Sequence, residues 1–214
     1  MEGVERAREA VAQAADRAGR DPGDVQILAA VKYLAVEQVG TLLDAGITLL
    51  GENRAQALVE KAERHPQARW HFIGRLQSRK VKVILPHVEL IHSVESDSAL
   101  RELGKHAPAG TEILVEVNVA GEEGKAGVLE ADLDAFLERS PVKVAGLMTM
   151  PPLAPDPEAS RPHFARLREL AEARGLRELS MGTSQDFHVA VEEGATIVRL
   201  GTTLLQGTPG FSRS

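Results

Sequence analysis

Leu-Ser-Met-Gly-Thr-Ser-Gln-Asp (179–186), then a helix-like run, then Ile-Val-Arg-Leu-Gly-Thr-Thr (197–203) read as two short strands. Each strand opens into a loop of small, hydrogen-bonding residues. Ser180, Gly182, Thr183 and Ser184 fall in the first loop, and Gly201, Thr202 and Thr203 in the second. Glycine lets a backbone N–H come close to a ligand, and clustered N–H groups with hydroxyls make an anion-sized concavity. A helix beginning near Gln185 and Asp186 sets about half a positive charge beside it. The pair of loops reads as a phosphate cup. Two ordinary turns would use the same residues.

The alternation of strand and helix extends outward from this stretch to the whole chain. Val4, Ala7, Val11, Ala14, Ala15 and Ala18 recur at helical spacing before Gly19, which gives a leading helix within residues 1–20. Strands are predicted at 25–31, 47–50, 70–73, 90–92, 112–119, 142–147, 178–180 and 197–200. Helices are predicted between them at 36–45, 55–65, 78–85, 97–106, 129–139, 157–174 and 187–193. The first strand, Val-Gln-Ile-Leu-Ala-Ala-Val, is almost continuously apolar, as burial on both faces requires. Such alternation implies a parallel sheet, and eight units imply an α/β fold of the (β/α)₈ TIM-barrel type over residues 25–205. A doubly wound open sheet is the competitor. No Gly-x-Gly-x-x-Gly turn follows the first strand, so the barrel is preferred. No linker, low-complexity tract or repeat divides the chain, and one domain over residues 1–214 is expected.

Composition narrows the function classes. The net charge is −6, from 25 Lys and Arg against 31 Asp and Glu, which argues against a nucleic-acid or anionic-membrane footprint. Aromatic residues are 3% of the chain, too few for base-stacking platforms. There is no cysteine, which removes disulfides, thiolate catalysis and cysteine-ligated metals. The first residues form a charged amphipathic pattern instead of an apolar signal core. No run approaches the roughly 20 apolar residues of a membrane span. A cytoplasmic protein is expected, as a monomer, with a weak dimer as the alternative.

In a barrel of this kind function gathers at the C-terminal ends of the strands. The polar residues there are Lys32, Glu52, Asn53, His71, His92, Ser93, Asn118 and Thr149, then Ser180 to Ser184 and Arg199 to Thr203, with Met148 beside Thr149. Lys32 ends an apolar strand, where its ammonium would be directed into the barrel mouth. A free lysine has a pKa of about 10.4, and burial or nearby cations lower it, giving an amine that attacks carbonyls. Opposite a phosphate cup, that lysine fits a Schiff base with a phosphorylated aldehyde; a snorkelling surface lysine is the alternative. Arg199 lies within the last apolar strand and needs a partner there, either a structural ion pair or a ligand's ring atom or anion. His71, flanked by Trp70 and Phe72, reads as a hydrogen-bonded core histidine before it reads as a base. The histidines show no tight metal-ligand spacing. No Gly-x-Ser-x-Gly elbow, Walker loop or His-Glu-x-x-His helix is present.

Several longer motifs act together. They are Ile-Leu-Ala-Ala-Val-Lys ending at Lys32, Gly-Glu-Asn-Arg-Ala-Gln at 51–56 and Trp-His-Phe-Ile-Gly-Arg-Leu-Gln-Ser-Arg-Lys at 70–80. Ile-His-Ser-Val at 91–94, Glu-Val-Asn-Val with its Glu-Glu-Gly-Lys-Ala-Gly loop, and Gly-Leu-Met-Thr-Met-Pro at 146–151 follow in order. With Leu-Ser-Met-Gly-Thr-Ser-Gln-Asp and Val-Arg-Leu-Gly-Thr, the chain resembles the pyridoxal 5′-phosphate (PLP) homeostasis proteins, single-domain relatives of the alanine racemase barrel. The resemblance implies that Lys32 forms the Schiff base with PLP and that Ser184, Gly201 and Thr202 hold its phosphate. It implies that Arg199 faces the pyridine nitrogen and that Asn53, His71, Met148 and Ser180 line the pocket. A cation facing that nitrogen keeps it unprotonated and weakens the ring as an electron sink. Val31, Ala35 and the Thr-Ser-Gln-Asp loop depart from the commoner serine or threonine, proline and Met-Ser-Asp-Asp of the family.

The implied function is intracellular PLP homeostasis: holding PLP and delivering it to PLP-dependent apoenzymes, without efficient amino-acid turnover. A racemase needs two acid/base groups on opposite faces of its substrate. In the alanine racemase family the second group comes from a further β-rich domain and the partner subunit, and this chain is expected to lack that domain. Tyr33, the single tyrosine, sits next to Lys32 and not across from it. A PLP-dependent amino-acid racemase and a cofactor-free sugar-phosphate isomerase or aldolase are the alternatives.

Overall fold

Eight strands stand in sequence order around a closed barrel in the computed structural model, which describes residues 2–201 and 203–205. They are β1 (Gln26–Ala30), β2 (Leu49–Glu52), β3 (Arg69–Phe72), β4 (Leu90–Val94), β5 (Glu112–Glu116), β6 (Lys143–Met148), β7 (Glu178–Thr183) and β8 (Ile197–Leu200). Each pairs in parallel with the next, and β8 pairs with β1 through the registers Leu28 to Arg199 and Ala29 to Leu200. A leading helix α1 (Glu2–Arg17) precedes β1. The crossovers are α2 (Val39–Asp44), α3 (Ala55–Arg64), α4 (Val81–Ile84), α5 (Asp97–His106), α6 (Leu133–Glu138), α7 (Arg161–Glu172) and α8 (Phe187–Glu192). The expected TIM barrel with an extra N-terminal helix is what the chain forms. No helix among the described residues is long and apolar enough to cross a membrane.

Eight strands leave eight gaps for helices, and the crossovers fill seven. The leading helix covers the eighth. Its apolar stripe of Val4, Ala7, Val11, Ala14 and Ala15 is buried, and it packs on α8. Just beyond its end, Arg20 donates to the carbonyls of Val191 and Ala195 at 2.5 and 2.9 Å. On the other flank, Arg8 donates to the carbonyls of Ala45 and Gly46, both at 3.2 Å, where α2 ends. The helix is a structural part of the barrel wall.

Strand alternation sorts the interior into layers. Leu28, Leu49, Leu90, Leu114, Met148 and Ile197 form an apolar cluster separate from the larger core between strands and helices. Two residues further along β4, β5 and β8 come His92, Glu116 and Arg199, which are buried, as are His71 and Ser180. A polar layer thus lies above the apolar one, toward the C-terminal ends of the strands. Gly51, two residues beyond Leu49, has no side chain because Leu28 takes that space; a Cβ there would lie 2.3 Å from Leu28 Cδ2.

Most strand limits shift by a residue or more from expectation, and three of the larger differences have a local reason. β2 starts at Leu49 because Gly46 and Ile47 still donate to the carbonyls of Leu43 and Leu42, closing the end of α2. β5 stops at Glu116 because the Asn118 side chain bonds both the N–H and the carbonyl of Glu122, turning the chain. β7 runs on to Thr183, which puts Ser180 and Gly182 in the strand and not in the loop expected from the sequence. Gly182 (φ +88°) is required by packing of α8, since a Cβ would lie 2.5 Å from the Ala190 Cβ.

Gly146 in β6 touches backbone: a Cβ would stand 1.9 Å from the Glu178 carbonyl oxygen in β7. Gly146→Ala is therefore expected to cost about 2–3 kcal/mol in urea denaturation. Gly40→Ala in α2, where the new methyl meets nothing closer than His65 Cε1 at 4.0 Å, should leave stability unchanged or raise it by up to about 1 kcal/mol. Equal losses in both variants would contradict the packing described here.

Candidate functional site

A cavity of about 390 Å³ opens at the C-terminal mouth of the barrel. Its wall is formed by Ala30 at the end of β1, Lys32 and Tyr33 after it, Asn53 after β2, Ile73 after β3, Met150 and Leu153 after β6, Thr183 to Gln185, and Arg199 and Gly201. A smaller cavity of about 120 Å³ adjoins it and shares Met150, Leu153, Thr183, Gln185 and Arg199. Five of the expected site residues therefore converge here: Lys32, Asn53, Ser184, Arg199 and Gly201. His71, Met148 and Ser180 are buried in the barrel interior and are not among the residues that line this cavity. Thr202 lies outside the described residues. Among the described residues no cluster of three or more histidine, cysteine or carboxylate side chains could hold a metal ion.

Lys32 lies two residues beyond β1, is exposed, and holds its Nζ 4.7 Å from the centre of the Tyr33 ring. It stands at the mouth, where the sequence directs it, and is open to solvent there. Across the cavity, Ser184 Oγ accepts from the Gly201 N–H at 3.2 Å, so a side chain joins the β7 and β8 loops. Ser184 also retains a hydroxyl proton to donate. No steric demand of the protein keeps residue 201 a glycine, because a Cβ there would stand 3.8 Å from its nearest neighbour, the Ala30 carbonyl oxygen.

Beneath the cavity a hydrogen-bonded chain runs through the polar layer from Arg199 to His71. Arg199 donates through Nη1 to the Ser180 carbonyl and Oγ, at 2.9 and 2.6 Å, and through Nη2 to the Thr149 carbonyl at 2.9 Å. Ser180 Oγ lies 2.8 Å from His92 Nδ1, and His92 Nε2 lies 2.9 Å from His71 Nδ1. Burial dominates the titration of all these groups. It lowers the Arg199 pKa to about 10, against the opposing pull of Glu116 and Asp186, and the guanidinium stays charged at neutral pH. Burial, reinforced by Arg69, lowers His71 to about 3; burial, His71 and Arg199 push His92 well below its ordinary value. Both histidines are neutral. Glu116 is raised to about 7 by burial and by the nearby Glu95, with Arg199 and Arg75 pulling the other way.

A second buried device ties the rim where Lys32 and Asn53 stand. Lys61 of α3 donates to Glu52 Oε2 at 2.5 Å and to the Val31 carbonyl at 2.7 Å. Glu52 Oε1 in turn accepts from the N–H groups of Asn53 and Arg54 at 2.7 and 3.1 Å. The pair thereby joins the backbone just before Lys32 to that of Asn53. Lys61 was not singled out from the sequence, although its spacing with Ala55, Leu58 and Ala62 places it on the buried face of α3. Glu116 was also missed; its signal was a charge inside an otherwise apolar strand.

The fit of a PLP-like group can be tested on the protein's own atoms. Asn53 Oδ1 is buried with no hydrogen-bond partner, an acceptor placed where a ligand donor would satisfy it. The wall also offers a primary amine, a hydroxyl beside a backbone N–H, and one edge of a charged guanidinium. These groups match an aldehyde, a phosphate and a ring nitrogen acceptor.

Comparison with known proteins agrees with this composition. Residues 5–209 match the model of the alanine racemase N-terminal domain. The chain is 42% identical to the pyridoxal phosphate homeostasis protein of Aquifex aeolicus, covering 95% of this chain and 96% of that one. It is similar to the crystal structure of an unknown protein from Bifidobacterium adolescentis, with a TM-score of 0.87 and 32% identity over 95% of this chain and 93% of that one. PipY of Synechococcus elongatus, solved with PLP bound, has a TM-score of 0.74 and 30% identity over 91% of this chain and 99% of that one.

Two consequences are measurable. Glu116 has a pKa of 4.5 ordinarily and about 7 when folded, so between these values the folded chain keeps a proton that the unfolded chain has lost. Its contribution to stability therefore falls as pH rises through that window. The stability of the wild type relative to Glu116→Gln should decline by about 3 kcal/mol between about pH 4.5 and about pH 7.5. Urea titrations at a series of pH values would read this, and a constant difference would refute it. The histidines act in the opposite sense, losing stability as pH falls below 6.5. Separately, Lys61→Met strands the Glu52 carboxylate in the interior and should cost about 3–5 kcal/mol, most of it recovered by adding Glu52→Gln. Denaturation of the two variants checks the coupling; equal losses in both would count against it.

Proposed function

This chain belongs to the pyridoxal phosphate homeostasis protein family, built on the alanine racemase N-terminal domain, and from that premise we propose that it binds PLP at the barrel mouth. The observation that carries the reading is convergence. Lys32 from the start of the barrel and Ser184, Arg199 and Gly201 from its end line one cavity of about 390 Å³ with Asn53 between them. That volume suits a small cofactor.

In this reading PLP supplies an aldehyde, a phosphate and an electron-withdrawing ring. Lys32 would hold the aldehyde through its amine, as a covalent anchor that water can reverse. The Ser184 hydroxyl and the Gly201 N–H it is bonded to would hold the phosphate, with Thr202 in the same role by resemblance. Arg199 would set a cation against the ring nitrogen and disfavour its protonation. The unpartnered Asn53 Oδ1 would accept from a donor on the bound group. The buried His71, Met148 and Ser180 act from within the interior, as support for the lining residues.

Holding and releasing PLP, without efficient amino-acid turnover, follows from what the wall lacks as an acid/base pair. Among the described residues that line the cavity, the titratable ones are Lys32, Tyr33 and Arg199. Tyr33 lies against Lys32, on the same side, and Arg199 does not give up its proton at neutral pH. Among the described lining residues no second proton carrier opposes the lysine. The mouth is open, edged by exposed Tyr33, Met150 and Leu153. This supports intracellular storage of PLP and its delivery to PLP-dependent apoenzymes.

The purified protein mixed with PLP should show a visible absorption band that borohydride discharges, with the reduced label mapping to the Lys32 peptide. Lys32→Ala should abolish the band. Ser184→Ala combined with Thr202→Ala should weaken PLP retention by roughly tenfold or more while leaving the band at saturating cofactor. A label on another side chain, or unchanged affinity in the double variant, overturns these assignments. Rapid deuterium exchange at the Cα of alanine would favour a racemase instead.

A further inference from the structure

Arg199 is a buried cation whose hydrogen-bond acceptors among the described residues are neutral: the Ser180 carbonyl, the Ser180 hydroxyl and the Thr149 carbonyl. The two carbonyls are fixed by the sheet. The hydroxyl is a rotor, and with its proton turned toward Arg199 it would repel the guanidinium instead of accepting from it. What decides its orientation is the group on its other side.

The order of protons follows from Arg199 outward. Arginine keeps its protons, so Ser180 Oγ accepts at 2.6 Å and its own proton goes to His92 Nδ1 at 2.8 Å. A histidine that accepts on Nδ1 carries its proton on Nε2, and His92 Nε2 donates to His71 Nδ1 at 2.9 Å. His71 then carries its proton on Nε2. The polarity that also gives the Ser180 proton an acceptor runs from Arg199 to Ser180 to His92 to His71. In the reverse polarity Ser180 Oγ would accept from both Arg199 and His92, and its own proton would find no acceptor among the described contacts.

We propose that His92, backed by His71, is a positioning residue for Arg199: it draws the Ser180 proton away, keeps that oxygen an acceptor, and so aims the guanidinium at the cavity. The two histidines, buried at the heart of the barrel, exchange no proton with a ligand. This rests on the PLP reading where affinity is concerned, and stands apart from it where the tautomers are concerned.

The first arm of the test uses the protein without cofactor. Nitrogen-15 NMR of the histidine-labelled chain at neutral pH should find both His71 and His92 as the neutral Nε2–H tautomer. Protonation of His92 on Nδ1, alone or as the imidazolium, overturns the proposal. The second arm measures PLP affinity and thermal stability in two variants. Asn places its Oδ1 close to where His places Nδ1, so His92→Asn keeps the acceptor for Ser180 while cutting the link to His71. His92→Leu fills more of the space but offers no acceptor. His92→Leu should lose roughly tenfold or more in PLP affinity, and His92→Asn should stay within about threefold of wild type even where it is the less stable of the two. Affinities that follow thermal stability instead would assign His92 a packing role and overturn the proposal. If the wild type binds no PLP, the cofactor reading fails, and the NMR arm still decides the proton order.

Discussion

A guanidinium enclosed in the barrel is the constraint to which the rest of the interior answers. Arg199 occupies β8 where alternation turns its side chain inward, and among the described residues no carboxylate is hydrogen-bonded to it. A buried charge without direct neutralisation is tolerated only if every donor it aims inward is met and nothing nearby competes for its sign. Its surroundings comply. Two backbone carbonyls and one hydroxyl take its protons, the histidines behind that hydroxyl are held neutral, and Glu116 titrates near neutrality at a distance. Even so, burial weakens the cation's hold on its proton. An electron pair offered from the cavity would relieve that deficit, which is why the arrangement is better suited to a ligand than to an empty core.

The rim is constrained by different means. Lys61 and Glu52 lock the chain before Lys32 to the chain at Asn53, and Ser184 locks the β7 loop to Gly201. A fully buried ion pair contributes little net stability compared with apolar packing of the same shape. Its value here is geometric: two loops from neighbouring strands cannot drift apart while both carboxylate oxygens and the ammonium are satisfied. The lining is therefore held by side-chain ties at the ends of the second and seventh strands, and by the Arg199 layer from beneath. Between these ties the wall is made by the Met150 to Leu153 loop, whose Met150 and Leu153 are 60% and 81% exposed. Ordered polar groups and an open apolar edge share one cavity.

Much of this was legible in the chain before any coordinates. Strands buried on both faces read as apolar runs, and all eight were found, with β8 at its observed limits and β2 displaced by two residues, a shift that preserves which side chains face inward. The errors lie where a strand stops being apolar but does not stop being a strand. Ser180 and Gly182 read as loop because the apolar run ends at Leu179, yet a barrel interior becomes polar toward its mouth and β7 continues through it. Glu116 escaped notice differently, inside a strand predicted to run on to Val119, where nothing marked it as the residue at the strand's end. Met148 and Met150 show the complementary limit: alternation and loop path, not residue type, put Met148 in the core and Met150 on the cavity wall. Lys32 was found for its position at the mouth, and two residues of loop carry it out of the strand to an exposed site there.

That exposure bears on why such a barrel would serve as a carrier. A covalent anchor alone holds an aldehyde only as well as water permits, because hydrolysis of the bond returns amine and aldehyde. Burying the anchor would slow that exchange and favour chemistry on the bound group; leaving it at the mouth favours release. Here the Lys32 amine is exposed while the Arg199 cation is buried. In the proposed reading that division would separate two properties that a single buried site would couple: the interior would read identity, and the solvent-accessible bond would govern residence. A protein that must hold a reactive aldehyde and also surrender it needs those two properties to be adjustable one without the other.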